Sequence, residues 1–325
     1  MRAIVRKRFG GPEVLEVRDL PDPQPKPGQV LIEVKAFGIN HAETHMRKGE
    51  WPEIAEVSGI ECAGLVKIDP DGRLAKGQKV VALMGGMGRT INGSYAELTS
   101  VPATNVVPVE TRLSWEALAA IPESYATAWT CLLGNLALRP GQTLVIRGAT
   151  SALGQAALNI AVQENSRVIA TSRNPDRFST LEKLGAEHAL REEPDLARPI
   201  HELHPQGVDA VLDLVGNSTV LSSLDMVRRG GHVCEAGWLG GLAPIASFNP
   251  MLQMPSGVHF SLFGSFVFGS PQFPLTDIPL QNIVDRVAAG AYQAKPAKVF
   301  GFDEIQAAHQ LMESGQALGK LVVRL

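Results

Sequence analysis

Hydrophobic residues along this chain follow two rhythms. Up to about Glu123 they come in short runs broken by Pro and Gly: residues 30–34 after the turn-rich PDPQPKPGQ, residues 65–68, residues 79–83 behind Lys76-Gly77-Gln78, and the alternating residues 95–98. Strands at this spacing, without crossover helices, predict a compact barrel-like module. Residues 114–133 then turn helical, capped by Ser114 and interrupted at Pro122.

From Thr143 strand and helix alternate. Leu144, Val145 and Ile146 are a continuous apolar run, as in a strand buried on both faces. Leu153, Ala156, Ala157, Ile160 and Ala161 recur at helical spacing, and residues 167–170 form the next strand. A helix over 175–184 and a strand over 208–213 follow. Another helix passes through Leu221 and Met226 and stops at Arg228-Arg229-Gly230-Gly231, basic residues then glycine. Strands over 232–237 and 258–267 complete a predicted doubly wound parallel sheet, an α/β fold. Beyond Gly269 come two helices and the strands 298–300 and 321–323.

The turn between the first strand and helix of that sheet is Arg147, Gly148, Ala149, Thr150, Ser151, Ala152, Leu153, Gly154. A helix N-terminus reached this way aims backbone N–H groups at an anion, such as a dinucleotide pyrophosphate. Only the last glycine of the usual three-glycine fingerprint is in place, so an ordinary strand-to-helix turn fits the local motif equally. The next strand ends in Thr171, Ser172 and Arg173, with Arg177 one turn beyond. A carboxylate there would bind ribose hydroxyls; guanidiniums instead suit a 2′-phosphate, and the expected cofactor is NADPH rather than NADH. Arginines merely solvated at a helix start are the competing reading.

Composition narrows the classes. With 325 residues two domains are expected; 45% hydrophobic and 19% charged residues describe an ordinary globular protein. A net charge of −3 leaves no basic footprint for nucleic acid, and no apolar run suggests a membrane span or a secretory leader. Cys62, Cys131 and Cys234 lie far apart in apolar settings, as core residues in a reducing, cytoplasmic compartment.

The segments GGPEVLEV, VKAFGINHAETHMRKGEWP, VSGIECAGLV, GQKVVAL, GSYAELTSVP, RPGQTLVIRGATSALG, VRRGGHVCEAG and LGKLVV occur in this order over essentially the whole chain. In these the chain resembles the medium-chain dehydrogenase/reductase superfamily, and within it the zinc-independent quinone oxidoreductase branch. The resemblance implies a GroES-like β-rich catalytic domain, 1–123 and 269–325, around an inserted Rossmann domain, 124–268. It also implies a ligand cleft between them and a homodimer. Zinc-dependent relatives carry Cys and His ligands where this chain has Asn40 and Ile60, and a Cys-rich lobe where it has residues 85–93 without cysteine, so no metal is expected. His41 and His45 are spaced i, i+4 but lack a third ligand.

Without a Lewis acid, an alcohol is a poor substrate and a quinone or enone a good one, because hydride arrives at carbon while charge spreads onto oxygen, where donors stabilise it. The resemblance places Asn40 against nicotinamide and substrate as the first candidate donor; a turn-capping Asn40 is the alternative. His45 and Trp51 stand at two positions often Tyr in the family, as a possible donor and an aromatic wall. Thr127 matches a position beside the carboxamide. Val215, Gly216 and Gly237 fall at strand ends where doubly wound sheets bind ligands, and Phe263 and Phe266 are expected along the nicotinamide. Lys320 belongs to the terminal Gly-Lys. The expected function is an NADPH-dependent quinone or enone reductase; 2-enoyl-thioester reduction and a non-catalytic NADPH-binding stress protein are the alternatives.

Overall fold

The computed structural model describes all 325 residues. The chain divides into two compact units, Met1–Ala126 with Ser265–Leu325, and Thr127–Gly264. The N-terminal runs become β1 (Arg2–Arg6), β2 (Leu15–Asp19), β3 (Gln29–Ile39), α1 (His41–Lys48), β4 (Glu61–Ile68), β5 (Lys79–Leu83), β6 (Leu98–Pro102) and β7 (Val106–Pro108). Helix α2 (Trp115–Ala119) is capped by the Ser114 hydroxyl, which accepts from Ala117 N–H. Pro122 does not so much interrupt a helix as begin one: it is the first residue of α3 (Pro122–Trp129), where its missing N–H costs nothing.

The second unit is built on β8 (Thr143–Arg147), α4 (Ala152–Gln163), β9 (Arg167–Ser172), α5 (Phe178–Lys183), β10 (His188–Arg191), α6 (Ala197–Leu203), β11 (Val208–Asp213), α7 (Val220–Asp225), β12 (Val227–Glu235), α8 (Pro250–Gln253) and β13 (His259–Leu262). Six parallel strands lie in the order β10-β9-β8-β11-β12-β13. All five residues of β8 are buried, as both its faces are covered. The sequence order reverses between β8 and β11, which makes the carboxyl edge there the ligand crevice of such a sheet.

The final segment contributes α9 (Leu280–Ala288), β14 (Lys298–Gly301), α10 (Ile305–Glu313) and β15 (Leu321–Arg324) to the first unit. Its main sheet runs β14-β15-β3-β4-β5-β7, with β6 also on β3. Strand β15 lies antiparallel to β3 with Leu321 opposite Ile39, which carries Lys320 to the level of Asn40. His309, on the apolar stripe of α10, is fully buried. Arg47 Nη1 donates to its Nδ1 at 3.2 Å, so the ring proton sits on Nε2 and is donated to the Tyr95 hydroxyl at 3.1 Å. Burial and the Arg47 charge push His309 down to about 3, so it stays neutral.

Three expectations are corrected here. Residues 95–97 precede β6: Tyr95 and Ala96 are both buried, so exposure does not alternate there, and Ala96 makes a single bridge to Ala3. Arg228–Gly231 is not a helix end but a bulge inside β12, whose pairing jumps from Val208↔Val227 to Ala210↔His232. Gly230 takes φ +77° there and Arg228 bonds Asp209, so basic residues and a left-handed glycine serve a strand instead of a helix cap. The last strand of the parallel sheet is only His259–Leu262, and Ser265–Val267 is a 3-10 turn.

Candidate functional site

In the second unit the turn after β8 is shaped by three side-chain-free or short-side-chain positions. Gly148 takes φ +75°. Its N–H donates to the Thr171 hydroxyl at 3.2 Å, and the N–H of Ala149 to the Thr171 carbonyl at 3.1 Å. Ser151 caps α4, accepting from Gly154 N–H at 3.0 Å and donating to the Gly148 carbonyl at 2.9 Å. A Cβ on Gly154 would stand 2.6 Å from both the Gly148 oxygen and the Ala149 Cα, so only glycine lets the helix lie this close to the turn. Thr150, Ala152 and Leu153 are part-exposed around the same tip.

Strand β9 carries Ser172 alongside, buried, its hydroxyl accepting from Asn174 N–H, and the chain then exposes Arg173. Arg177 closes the 3-10 turn Pro175–Arg177 and is half-buried. Gly216 (φ +99°), after β11, and Gly237, after β12, abut: a Cβ on Gly216 would meet the Gly237 oxygen at 2.6 Å. Asp213 holds this turn, accepting from Val215 and Gly216 N–H and from the Thr219 and Ser223 hydroxyls. Thr127 is buried on α3 and Phe263 buried after β13, its N–H on the Glu235 carbonyl. Phe266 falls in the first unit, exposed beneath the Arg89 guanidinium at 5.1 Å. Gly148 to Gly154, Ser172, Arg173, Val215, Gly216, Gly237 and Phe263 thus share the carboxyl side of one sheet.

The sequence reading missed a row of charge beneath that edge. Arg147, Asp213 and Glu235 end β8, β11 and β12 opposite one another in register, and all are buried. The signal was present: each closes an apolar run, LVIR, VLD and VCE. Glu235 keeps one oxygen without a partner and is only 3% exposed. Burial, then Asp213 alongside, push its carboxyl up to about 7. Between the ordinary 4.5 and about 7 the folded state keeps a proton that the unfolded state has lost. This contribution is therefore complete below 4.5, falls as pH rises through the window, and is flat above it. Urea titrations across pH should show Glu235→Gln without that slope and about 1–2 kcal/mol more stable than the parent at pH 8.

In the first unit Asn40 is the N-cap residue of α1, but its side chain does not cap. Glu43 reaches back to accept from Asn40 N–H at 2.8 Å, and the amide turns to a buried cluster. Lys320 Nζ donates to Asn40 Oδ1 and to the Ser124 hydroxyl, and pairs with Glu61. Because an ammonium only donates, the amide oxygen must face it. The NH₂ then points to Glu61 Oε1 at 2.9 Å and, more distantly, Glu43 Oε1 at 3.4 Å. The other Glu61 oxygen accepts from Glu123 N–H at the start of α3. Gly38 leaves room for the pair: a Cβ there would lie 2.4 Å from Glu61 Oε1. Burial, opposed by Lys320 and reinforced by Glu61, pushes Glu43 up to about 8, so it is protonated at neutral pH.

His45 and Trp51 do come together, rings stacked with centroids 6.0 Å apart, and His45 Nδ1 meets Glu50. No group of three or more His, Cys, Asp or Glu side chains converges as a metal site.

Comparison with known proteins adds the family. The alcohol dehydrogenase GroES-like domain matches residues 26–111, and the zinc-binding dehydrogenase model matches residues 152–280. The chain is 28% identical to a quinone oxidoreductase of Lama guanicoe, over 100% of this chain and 98% of that one. It superposes on a mycobacterial protein solved in complex with NADPH with a TM-score of 0.88, at 25% identity and full coverage of both chains. A structure described as an NAD-dependent alcohol dehydrogenase gives 0.86 at 28% identity, again with full coverage of both.

The chain belongs to the medium-chain dehydrogenase/reductase superfamily.

Membership gives the two units their names, a GroES-like unit and a Rossmann unit. No helix is long and apolar enough to cross a membrane.

Proposed function

We propose that the chain is an NADPH-dependent reductase that delivers hydride to a quinone or an α,β-unsaturated carbonyl without a resident metal. The observation that carries the reading is the Lys320 ammonium seated between Asn40 and Glu61. Zinc-dependent members of the superfamily place a metal ligand at the Asn40 position. Here that position offers an amide, Ile60 an alkyl group, and a cation already neutralises the neighbouring carboxylate, so the donor set does not fit zinc. Electrophilic activation of an alcohol is then out of reach, whereas a conjugated acceptor needs only a donor at its oxygen.

Bound NADPH would supply the hydride. The chain's residues do the rest. Gly148 to Gly154 offer the α4 tip to the pyrophosphate, and Arg173 with Arg177 offers guanidiniums to the 2′-phosphate. Lys320 fixes the Asn40 amide, and of its two hydrogens the one on the long Glu43 contact is the more weakly held and would be the one donated to the acceptor oxygen. Asn40→Ala is expected to lower kcat about 100-fold, within the range for losing one such donor, and to leave NADPH affinity unchanged. Stopped-flow reduction and fluorescence titration together check this, and an unchanged rate makes Asn40 a scaffold residue. The reading as a whole is tested by NADPH consumption with quinones, enones and 2-enoyl thioesters. Turnover confined to thioesters favours that alternative, and tight NADPH binding without any turnover favours a binding protein.

The expected homodimer has a candidate surface. β13 ends the parallel sheet with an open edge, and exposes Phe260 and Leu262; Met251 and Leu252 on α8 are exposed too. A second copy related by a two-fold axis can pair this edge with itself, which covers both. Sedimentation should give a dimer, and Leu262→Lys a monomer; a wild-type monomer at micromolar concentration contradicts it.

A further inference from the structure

The Rossmann unit contains a fully buried arginine that none of the steps above uses. Arg147 ends β8, directly before the Gly148 turn, and its guanidinium bridges Glu192, after β10, and Thr219 and Ser223, after β11. Nε donates to Glu192 Oε1 at 3.1 Å and Nη2 to the same carboxylate; Nη1 donates to the Thr219 carbonyl at 3.0 Å and the Ser223 hydroxyl at 3.1 Å. Glu192 follows β10 and is itself nearly buried. Its backbone N–H bonds the Ser172 carbonyl, and its other oxygen accepts from the Thr171 hydroxyl at 2.6 Å. That same hydroxyl accepts from Gly148 N–H. A carboxylate therefore lies one hydroxyl away from the first N–H of the turn, and beside the strand end that presents Arg173.

Resting on the NADPH reading, we propose that Glu192 and Arg147 are positioning residues that set the electrostatic potential beneath the nucleotide phosphates. Glu192 orients Thr171, and so the Gly148 turn, at the cost of a negative charge under an anion site. Arg147 offsets that charge. Asp213, bonded to the same Ser223 and Thr219 as Arg147, adds a second carboxylate, with Glu235 next to it, so the row carries no surplus of positive charge. The pair therefore acts on affinity in opposite senses from its two ends. Removing the Glu192 charge while keeping its shape frees the buried guanidinium to attract phosphate. Removing Arg147 leaves the carboxylate to repel it. NADPH, with one phosphate more than NADH, responds more strongly in both cases.

A purely structural pair predicts something else, namely that loosening it from either end weakens binding. The test is titration of NADPH, NADH and uncharged adenosine into the parent, Glu192→Gln, Arg147→Lys and the double variant Arg147→Met/Glu192→Gln, at two salt concentrations. Glu192→Gln is expected to bind NADPH about five- to tenfold tighter, NADH by a smaller factor, and adenosine unchanged, with a steeper salt dependence. Arg147→Lys keeps the charge and should stay near the parent, and the double variant, neutral at both positions, should return towards it. Weaker or unchanged NADPH binding by folded Glu192→Gln overturns the proposal while leaving the NADPH reading intact. A parent that binds neither nucleotide overturns both.

Discussion

Replacing Lys320 with methionine is expected to destabilise the GroES-like unit by about 3–5 kcal/mol, the usual cost of removing one partner from a buried ion pair. Glu61 would lose its only cation in a site where Lys320 is 5% and Glu61 0% exposed, with Glu43 also fully buried beside them. The loss should depend on pH in a defined sense. Lys320 opposes the upward push on Glu43, so without it that carboxyl binds its proton more tightly still. The folded variant then gains most where protons are available, and its deficit against the parent should be larger at pH 8 than at pH 5. Adding Glu61→Gln should recover part of the stability. Denaturant titrations at the two pH values measure all of this, and a deficit below about 1 kcal/mol that ignores pH would mean that the cluster is solvated.

The second large effect concerns the nucleotide. Arg173→Ala is expected to weaken NADPH about 30-fold and NADH less than twofold, since only the former loses a charge-assisted pair with its 2′-phosphate. The exposed position of Arg173 makes the substitution harmless to folding. Equal losses for both nucleotides would place the specificity elsewhere, with Arg177 the next residue to replace.

Much of the fold was legible because its signals are local. The run at Leu144, Val145 and Ile146 and the helical spacing from Leu153 to Ala161 appear as β8 and α4, and β5 and β11 start and stop where their apolar runs do. Failures came where one local signal serves two structures. Arg-Arg-Gly-Gly can end a helix or bulge a strand, and the choice lies in the pairing of β12 with β11, which no window of sequence contains.

The candidate site was legible in pieces. Asn40 and Lys320 were each visible, yet nothing local joins residues 280 positions apart; the antiparallel register of β15 on β3 does so. Glu43 was not singled out: its local role is to accept from Asn40 N–H at the start of α1, and its burial against Glu61 lies outside anything that role shows. The Arg147–Glu192 pair likewise spans β8 and the end of β10, separated by an intervening strand in the sequence.

The most direct measurement is reduction of an enone with NADPH carrying two deuterium atoms at the nicotinamide C4 position, after exhaustive chelation of the protein. Deuterium on the β-carbon of the saturated product, at a rate unaffected by the chelator and lowered about 100-fold by Asn40→Ala, is the result expected. Loss of turnover on chelation with recovery on adding zinc, or unlabelled product, would contradict a metal-free hydride transfer.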